Sequence, residues 1–366
     1  MSTYTDTCEA LAVCIASKQP VILWGAPGQG KTSVLNAIAA SSDRMIRTVL
    51  ASIREPSDFA GLPNIVNGRT VLIPPDWAED IAVTGDGILF FDEISTAPPA
   101  TQAAMLRVAL ERIAGDKFLG DDVSIVAAAN PPEQAADGWD LSAPMANRFT
   151  HLDWALPADV VRDGFSIGWP EIVIPQVNQQ LLNEKVTEGR LLVGAFLGAR
   201  PDHLTRVPDS TNEAGRAFPT PRSWESAATL YGYATAAGAS KAARRMLLNG
   251  SVGESATSEF LTYISELDLP NPEDVLANPS KWEVPTRGDR VYAVGAAVLT
   301  ALKQNMSDER WVGTGKVIAH MAKADHSDVA VAIGRRWMKM RPNSSVQPDA
   351  ATLRAIAPVF KAAKIF

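Results

Sequence analysis

Apolar residues follow two spacings along the chain. Up to about residue 155, short and largely apolar runs alternate with stretches of helical character. The runs are Val21–Trp24, Met45–Ala51, Ile88–Phe91, Ser124–Ala129 and Phe149–Trp154. Runs of this length are the mark of strands buried on both faces. Lys31–Ala40 and Ala100–Ile113 between them read as helices. In the second, Ala103, Leu106, Leu110 and Ile113 form a helical stripe, Thr96 is placed to cap its start, and Pro98 and Pro99 suit its first turn. Strand–helix alternation predicts a parallel α/β sheet. Two stretches interrupt it. Asn64–Ile73, NIVNGRTVLI, predicts two short strands around an Asn-Gly turn. Arg112–Val123, with Gly115 and Gly120, predicts a second hairpin. Both read as insertions on the α/β core.

Beyond residue 155 the strand pattern fades. Residues 171–198 and 223–268 are mostly helical in pattern, separated by a polar, Pro-containing loop at 199–222. A connector with Pro270, Pro272, Pro279 and Pro285 follows, and residues 286–364 predict three or four further helices. No internal repeat is present. A length of 366 residues suits two to three domains.

Charge changes this picture in one respect. The net charge of -7 argues against attraction of the whole molecule to nucleic acid or anionic membrane. Residues 331–366, however, carry seven bases (Arg335, Arg336, Lys339, Arg341, Arg354, Lys361, Lys364) against the single acid Asp349. That tail is +6 and the remainder -13. It reads as solvated helix faces, with an interaction arm as the alternative. Cys8 and Cys14 match no zinc or redox spacing and read as reduced core thiols. Asp6 and Glu9, with no base before Lys18, are the wrong flank for a signal peptide, and no apolar run approaches the length of a membrane span. The expected location is the cytoplasm, away from membrane.

The chemistry is concentrated in two motifs. Gly25-Ala26-Pro27-Gly28-Gln29-Gly30-Lys31-Thr32, followed by Ser33, fits G-x-x-x-x-G-K-[ST], directly after a predicted strand and opening a helix. Glycines let the backbone curl so that successive N–H groups point at phosphate, and the helix N-terminus adds its positive end. Lys31 would reach the β- and γ-phosphates and the Thr32 hydroxyl would ligate Mg2+. Ile88–Phe91 then lead into Asp92 and Glu93. Asp92 would hold the metal, mainly through its water shell, and Glu93 would orient and deprotonate the attacking water. The nine tryptophans are dispersed and read as core or interface packing.

A strand ending Asp92-Glu93, an apolar strand ending in Asn130 and the Asn147-Arg148-Phe149 triplet together resemble an AAA+ ATPase. Asp92–Arg112, DEISTAPPATQAAMLRVALER, is similar to the MoxR branch, and the two hairpins look like that branch's helix-2 insert and pre-sensor-1 hairpin. The resemblance covers roughly residues 15–250. It implies a P-loop AAA+ core with sheet order 5-1-4-3-2 flanked by helices (1–155), an α-helical lid (156–268) and a helical C-terminal extension (269–366) that is alternatively part of the lid. It also implies ATP with Mg2+. The residues alone do not read the base. Asn130 resembles sensor 1, Arg148 the arginine finger that reaches a neighbouring subunit, and Arg222 the sensor-2 arginine, with Arg216 as the alternative. The family implies a homo-oligomeric, hexameric ring that remodels or activates a protein client, often one with a von Willebrand A domain. A chelatase-type subunit and a nucleic-acid motor are the alternatives, the latter opposed by the net acidity. Asp58–Pro63 is a candidate client-facing loop, in which Phe59 either grips a client or packs beneath the loop.

Overall fold

The structure, a computed structural model, describes residues 4–131, 139–266, 269–343 and 345–363. Pro132, residue 268 at the expected lid boundary and Lys364 of the basic tail lie outside that range. Helix α1 (Tyr4–Ala16) leads into β1 (Val21–Trp24) and α2 (Lys31–Ser41). Next come β2 (Ile46–Leu50), α3 (Ser57–Ala60), the β3–β4 hairpin (Leu62–Val66 and Arg69–Ile73) and α4 (Asp76–Thr84). Then follow β5 (Ile88–Asp92), α5 (Pro99–Glu111), the β6–β7 hairpin (Ile113–Ala114 and Lys117–Phe118), β8 (Ser124–Ala129), α6 (Ala143–Ala146) and β9 (Thr150–Asp153). The remaining described elements are helical. They are α7 (Ala158–Ile167), α8 (Gln179–Ala199), α9 (Thr211–Ala214), α10 (Pro221–Ala236), α11 (Lys241–Val252) and α12 (Glu254–Glu266), then α13 (Pro272–Ala277), α14 (Gly288–Gln304), α15 (Asp308–Lys323), α16 (Ser327–Lys339) and α17 (Ala350–Ala362).

Five strands form one sheet in the order β2-β5-β8-β1-β9, every neighbouring pair parallel. Counted along the chain these are strands 2-3-4-1-5, the expected order read from the other edge. The period-two alternation of strand side chains divides the core. Ile22, Trp24, Leu89, Phe91, Ile125 and Ala127 join one apolar cluster, and Val21, Leu23, Ile88, Phe90, Val126 and Ala128 the other. Helix α1 has no apolar stripe in the sequence because it is buried on nearly every side, from Ala10 through Ile15.

The two hairpins form as the turn signals predict. They are bolted together: the Gly115 N–H donates to the Phe59 carbonyl (3.0 Å), the Asp116 N–H to the Leu72 carbonyl (3.1 Å), and the Leu72 N–H to Asp116 Oδ2 (2.7 Å). Gly61 must be glycine, because at its φ of +83° a Cβ would lie 2.8 Å from Gly115 Cα and the Ile73 carbonyl oxygen.

One local expectation is corrected and one open alternative is decided. Thr96 does not cap α5; its hydroxyl donates to the Glu93 carbonyl (2.8 Å), closing a one-turn 3-10 helix, and Pro98 precedes α5 in the cap position. Phe59 does not face a client. It is 1% exposed and packs edge-on against Phe91, with Trp77 at the same 6.0 Å centroid distance.

Contacts divide the chain into two units, residues 1–182 with 203–258 and residues 183–202 with 259–366. In the first unit, α10 and α11 bring Leu230, Ala234, Ala243 and Leu247 into the same cluster as the sheet residues Val21, Leu23 and Phe90. In the second unit α14–α17, the four helices of residues 286–364, pack around Val294, Leu302, Trp311, Ile333, Trp337 and Phe360. Trp311 and Trp337 stack at 4.3 Å, and each indole N–H donates to the other residue's carbonyl (3.1 and 2.9 Å).

Candidate nucleotide-binding site

In a parallel sheet all strands end on one edge, so the loops that follow them collect there. The Gly-rich loop leaves β1 at this edge. Gly25 is pressed against β9, where a Cβ would lie 2.4 Å from the Trp154 carbonyl oxygen, and its N–H donates to the Ala129 carbonyl at the end of β8 (3.1 Å). Gln29 is held by the chain after β9: the Trp154 indole donates to its carbonyl (2.8 Å) and the Leu156 N–H to its Oε1 (2.9 Å). Gly28 and Gly30 take positive φ, 76° and 70°, which gives the loop its curl before α2 begins at Lys31.

The motif residues converge here. Lys31, 8% exposed, donates to the Gly25 carbonyl, to the Ala26 carbonyl (3.1 Å) and to Asn130 Oδ1 (3.2 Å). Burial lowers its pKa, against the opposing pull of Asp92 and Glu93. The Thr32 hydroxyl donates to Asp92 Oδ2 (3.0 Å). Glu93 sits in the left-handed region (φ 55°), its N–H donating to Asp92 Oδ1 (3.0 Å), and its Oε2 accepts from the Ser52 hydroxyl (2.8 Å). Ser52 is not in either motif. Its signal in the sequence is its place, two residues beyond the end of β2.

The two arginines stand elsewhere. Arg148 Nη1 donates to the Pro144 carbonyl one turn back, its buried Nε has no partner, and burial followed by the charge of Arg222 lowers its pKa. Thr220, which caps α10, donates to Asn147 Oδ1 (2.8 Å), so the start of α10 with Arg222 is tied to the Arg148 segment. Among the described residues neither Arg148 nor Arg222 has a carboxylate partner, and no hydrogen bond joins either to Lys31, Thr32, Asp92, Glu93 or Asn130. Arg216 is engaged differently. It lies 4.1 Å over the Trp24 ring and pairs with Asp153 (3.1 Å).

A cavity of about 400 Å³ opens beside the loop, lined among others by Tyr4, Gly28, Gly30, Trp154, Phe165 and Trp169. Aromatic side chains and the Gly-rich turn both contribute to its lining. The family model of the AAA domain (dynein-related subfamily) matches residues 20–149, which contain β1 through the Asn147–Phe149 triplet. Residues 20–149 form an AAA+ domain. The chain is also similar to the pathogenicity locus probable regulatory protein WtsA of Pantoea stewartii subsp. stewartii, 29% identical over 138 residues. That match takes in 35% of this chain and 43% of WtsA, so the chain spans under half of that relative. Among solved structures, a candidate ATPase from Cytophaga hutchinsonii has a TM-score of 0.42 at 16% identity, over 70% of this chain and 88% of that one. A full-length MCM homolog from Methanopyrus kandleri has a TM-score of 0.36 at 17% identity, over 70% and 53%.

The AAA+ site fits a metal-bound nucleoside triphosphate. Among the described residues no group of three or more His, Cys, Asp or Glu could hold a metal by itself. Thr32 and Asp92 offer two adjacent oxygen donors, the partial set that Mg2+ takes when phosphate and water complete its octahedron. No described helix is long and apolar enough to cross a membrane.

Proposed function

We propose that this AAA+ protein is a MoxR-like ATPase that hydrolyses ATP with Mg2+ in a homo-oligomeric ring, hexameric by family resemblance, and uses the cycle to remodel or activate a partner protein. The observation that carries the hydrolytic reading is the pairing of Lys31 with Asn130 and of its neighbour Thr32 with Asp92, with the next residue, Glu93, held by Ser52. In this reading Gly25 through Ser33 bind the phosphates, and the aromatic cavity receives base and ribose. Thr32 and Asp92 would hold Mg2+, which when bound would supply charge neutralisation at the phosphates. Glu93 takes the proton of the attacking water, and Asn130 orients that water. Lys31 exchanges its loop-carbonyl hydrogen bonds for phosphate oxygens.

Two arginines support the ring. Arg148 and Arg222 lie close enough to repel, and among the described residues they have no acid partner and no hydrogen bond to Lys31, Thr32, Asp92, Glu93 or Asn130. A neighbouring subunit's γ-phosphate would supply the missing anion, and transition-state charge would gain most from it. A von Willebrand A protein is the client class that the family suggests. The test is Glu93→Gln. The variant should bind ATP as tightly as wild type, lose phosphate release and trap an assembled ring whose captured partner identifies the client. Wild-type turnover by Glu93→Gln would remove the mechanism.

One observation favours a second reading. Arg335, Arg336 and Lys339 on α16, with Arg354 and Lys361 on α17, form exposed faces of two packed helices. Five cations could follow a phosphate backbone, and binding to single-stranded DNA would then fall by a log–log slope of about 3–4 with salt. Absence of binding at low salt removes this reading.

A further inference from the structure

Trp24 is the last residue of β1, and the Gly-rich loop begins at the next position. Its indole N–H donates to His151 Nδ1 (2.9 Å), and the two ring planes are nearly parallel, 10° apart. His151 Nε2 lies 2.9 Å from the Ala146 carbonyl oxygen. Ala146 is the last residue of α6, two positions before Arg148, and the same carbonyl accepts the Phe149 N–H that closes the turn.

The chemistry of the partners fixes the imidazole. An indole N–H only donates, so Nδ1 must accept; a carbonyl only accepts, so Nε2 must carry the hydrogen. A protonated ring would set two donors against each other at Trp24. Burial, the largest influence, together with the nearby Arg216 outweighs the Ala146 hydrogen bond and Asp153, and pushes the His151 pKa down to about 4, so the bridge stands at neutral pH. The surroundings are rigid on both sides. A Cβ on Gly250 would lie 2.3 Å from the His151 carbonyl oxygen, so α11 lies directly on this strand, and Arg216 covers the Trp24 ring.

We infer that His151 is a positioning residue for Arg148: it registers the turn that delivers the arginine against the strand that delivers the subunit's own Gly-rich loop. The inference rests on the reading of Arg148 as the arginine given to a neighbouring subunit. A core histidine packed against any other turn would fill space equally well. This one joins the first position before the phosphate loop to the turn that aims the arginine. A shift at the loop is thereby passed to Arg148 through two hydrogen bonds and no flexible side chain.

The test separates the subunit that gives the arginine from the one that hydrolyses. Glu93→Gln subunits keep Arg148 but do not turn over, and Arg148→Ala subunits keep the cradle but give no arginine. Mixed together they should regain phosphate release at the interfaces where the two intact halves meet. His151→Leu is then added to one partner at a time. In the Glu93→Gln partner it should cut the regained activity by about tenfold or more, the scale expected for losing a hydrogen-bonded restraint in a transition state. In the Arg148→Ala partner it should leave the activity within about twofold. His151→Gln, which retains one donor and one acceptor, should restore activity in the first placement. Equal loss in both placements, or loss in neither, overturns the inference. If the parental mixture is silent, the trans reading of Arg148 fails first and the inference falls with it. Should His151→Leu not fold, Trp24→Phe in the same two placements removes the indole donor and must show the same asymmetry.

Discussion

Ser52 makes the sharpest demand on the mechanism, because its contact bears on Glu93 and on no other motif residue among the bonds described. Ser52→Ala removes the hydroxyl that lies 2.8 Å from Glu93 Oε2. A hydrogen bond to a charged acceptor contributes about 1.5–3 kcal/mol in a dry setting. Both side chains are half-buried, so water replaces part of the lost contact and about 1 kcal/mol is the appropriate figure. Glu93 is already committed to a left-handed backbone by its bond to Asp92, which leaves the carboxylate torsions as the freedom that Ser52 removes. The loss therefore falls on the chemical step and not on nucleotide affinity. About 1 kcal/mol in the barrier is about a fivefold drop in kcat. Ser52→Thr keeps the hydroxyl and should keep most of the rate. The assay is steady-state phosphate release against Mg-ATP concentration, with affinity measured separately in a Glu93→Gln background, where turnover cannot distort it. An unchanged kcat in Ser52→Ala, or a fall in affinity at constant kcat, would refute the assignment of Ser52 to Glu93.

Three further outcomes follow. Phe59→Ala should destabilise the first unit by about 3–5 kcal/mol in denaturant titrations, as for a fully buried aromatic, whereas Ile65→Ala at 75% exposure should shift the midpoint hardly at all; equal, small effects would return Phe59 to the surface. Cys8 and Cys14 are buried and burial raises both thiols, Cys8 to about 11, so maleimide should label them at the rate of unfolding and not faster. The His151 pKa is lowered on folding, so between about 6.5 and about 4 the unfolded chain binds the extra proton and stability falls as pH falls. The resulting contribution has an upper limit of about 3 kcal/mol, and His151→Gln should flatten the denaturation midpoint between pH 7 and pH 5 relative to wild type.

The parts of the site that could be read from the sequence are those in which chemistry and chain order coincide. Gly25–Thr32 is contiguous, and Asp92-Glu93 follows an apolar run whose end is unmistakable. The central strands β1, β5 and β8 were legible because each is buried on both faces, and the strand order came with the family resemblance. Phe59 was ambiguous because a loop aromatic carries no periodicity to say which way it points; its burial is decided by Phe91 and Trp77, which arrive from β5 and α4. Thr96 was misread because a hydroxyl before a Pro-Pro pair suits a cap, yet its acceptor is the carbonyl of a left-handed Glu93, a conformation the pattern does not announce. The division of the helical half was not legible either, since the apolar faces of α10 and α11 do not say whether they cover the sheet or each other.

Ser52 and His151 were missed for a common reason, and it suggests how to find such residues. Their partners lie 41 and 127 positions away, so no local spacing connects them. What connects them is the parallel sheet. The paired register sets Leu50 beside Asp92 and Trp24 beside Asp153, so positions just past one strand meet positions just past the next. Once a strand order is in hand, each polar residue in the first two or three places after a strand end becomes a candidate, and Ser52 and Asn130 would both be found this way. His151 lies inside β9, where a polar ring at a buried position must find partners across the sheet. Parallel pairing with β1 brings Trp24, with its single indole donor, within reach. A polar residue at a sheet-buried position is thus a statement about its neighbour strand, and here that neighbour carries the phosphate loop.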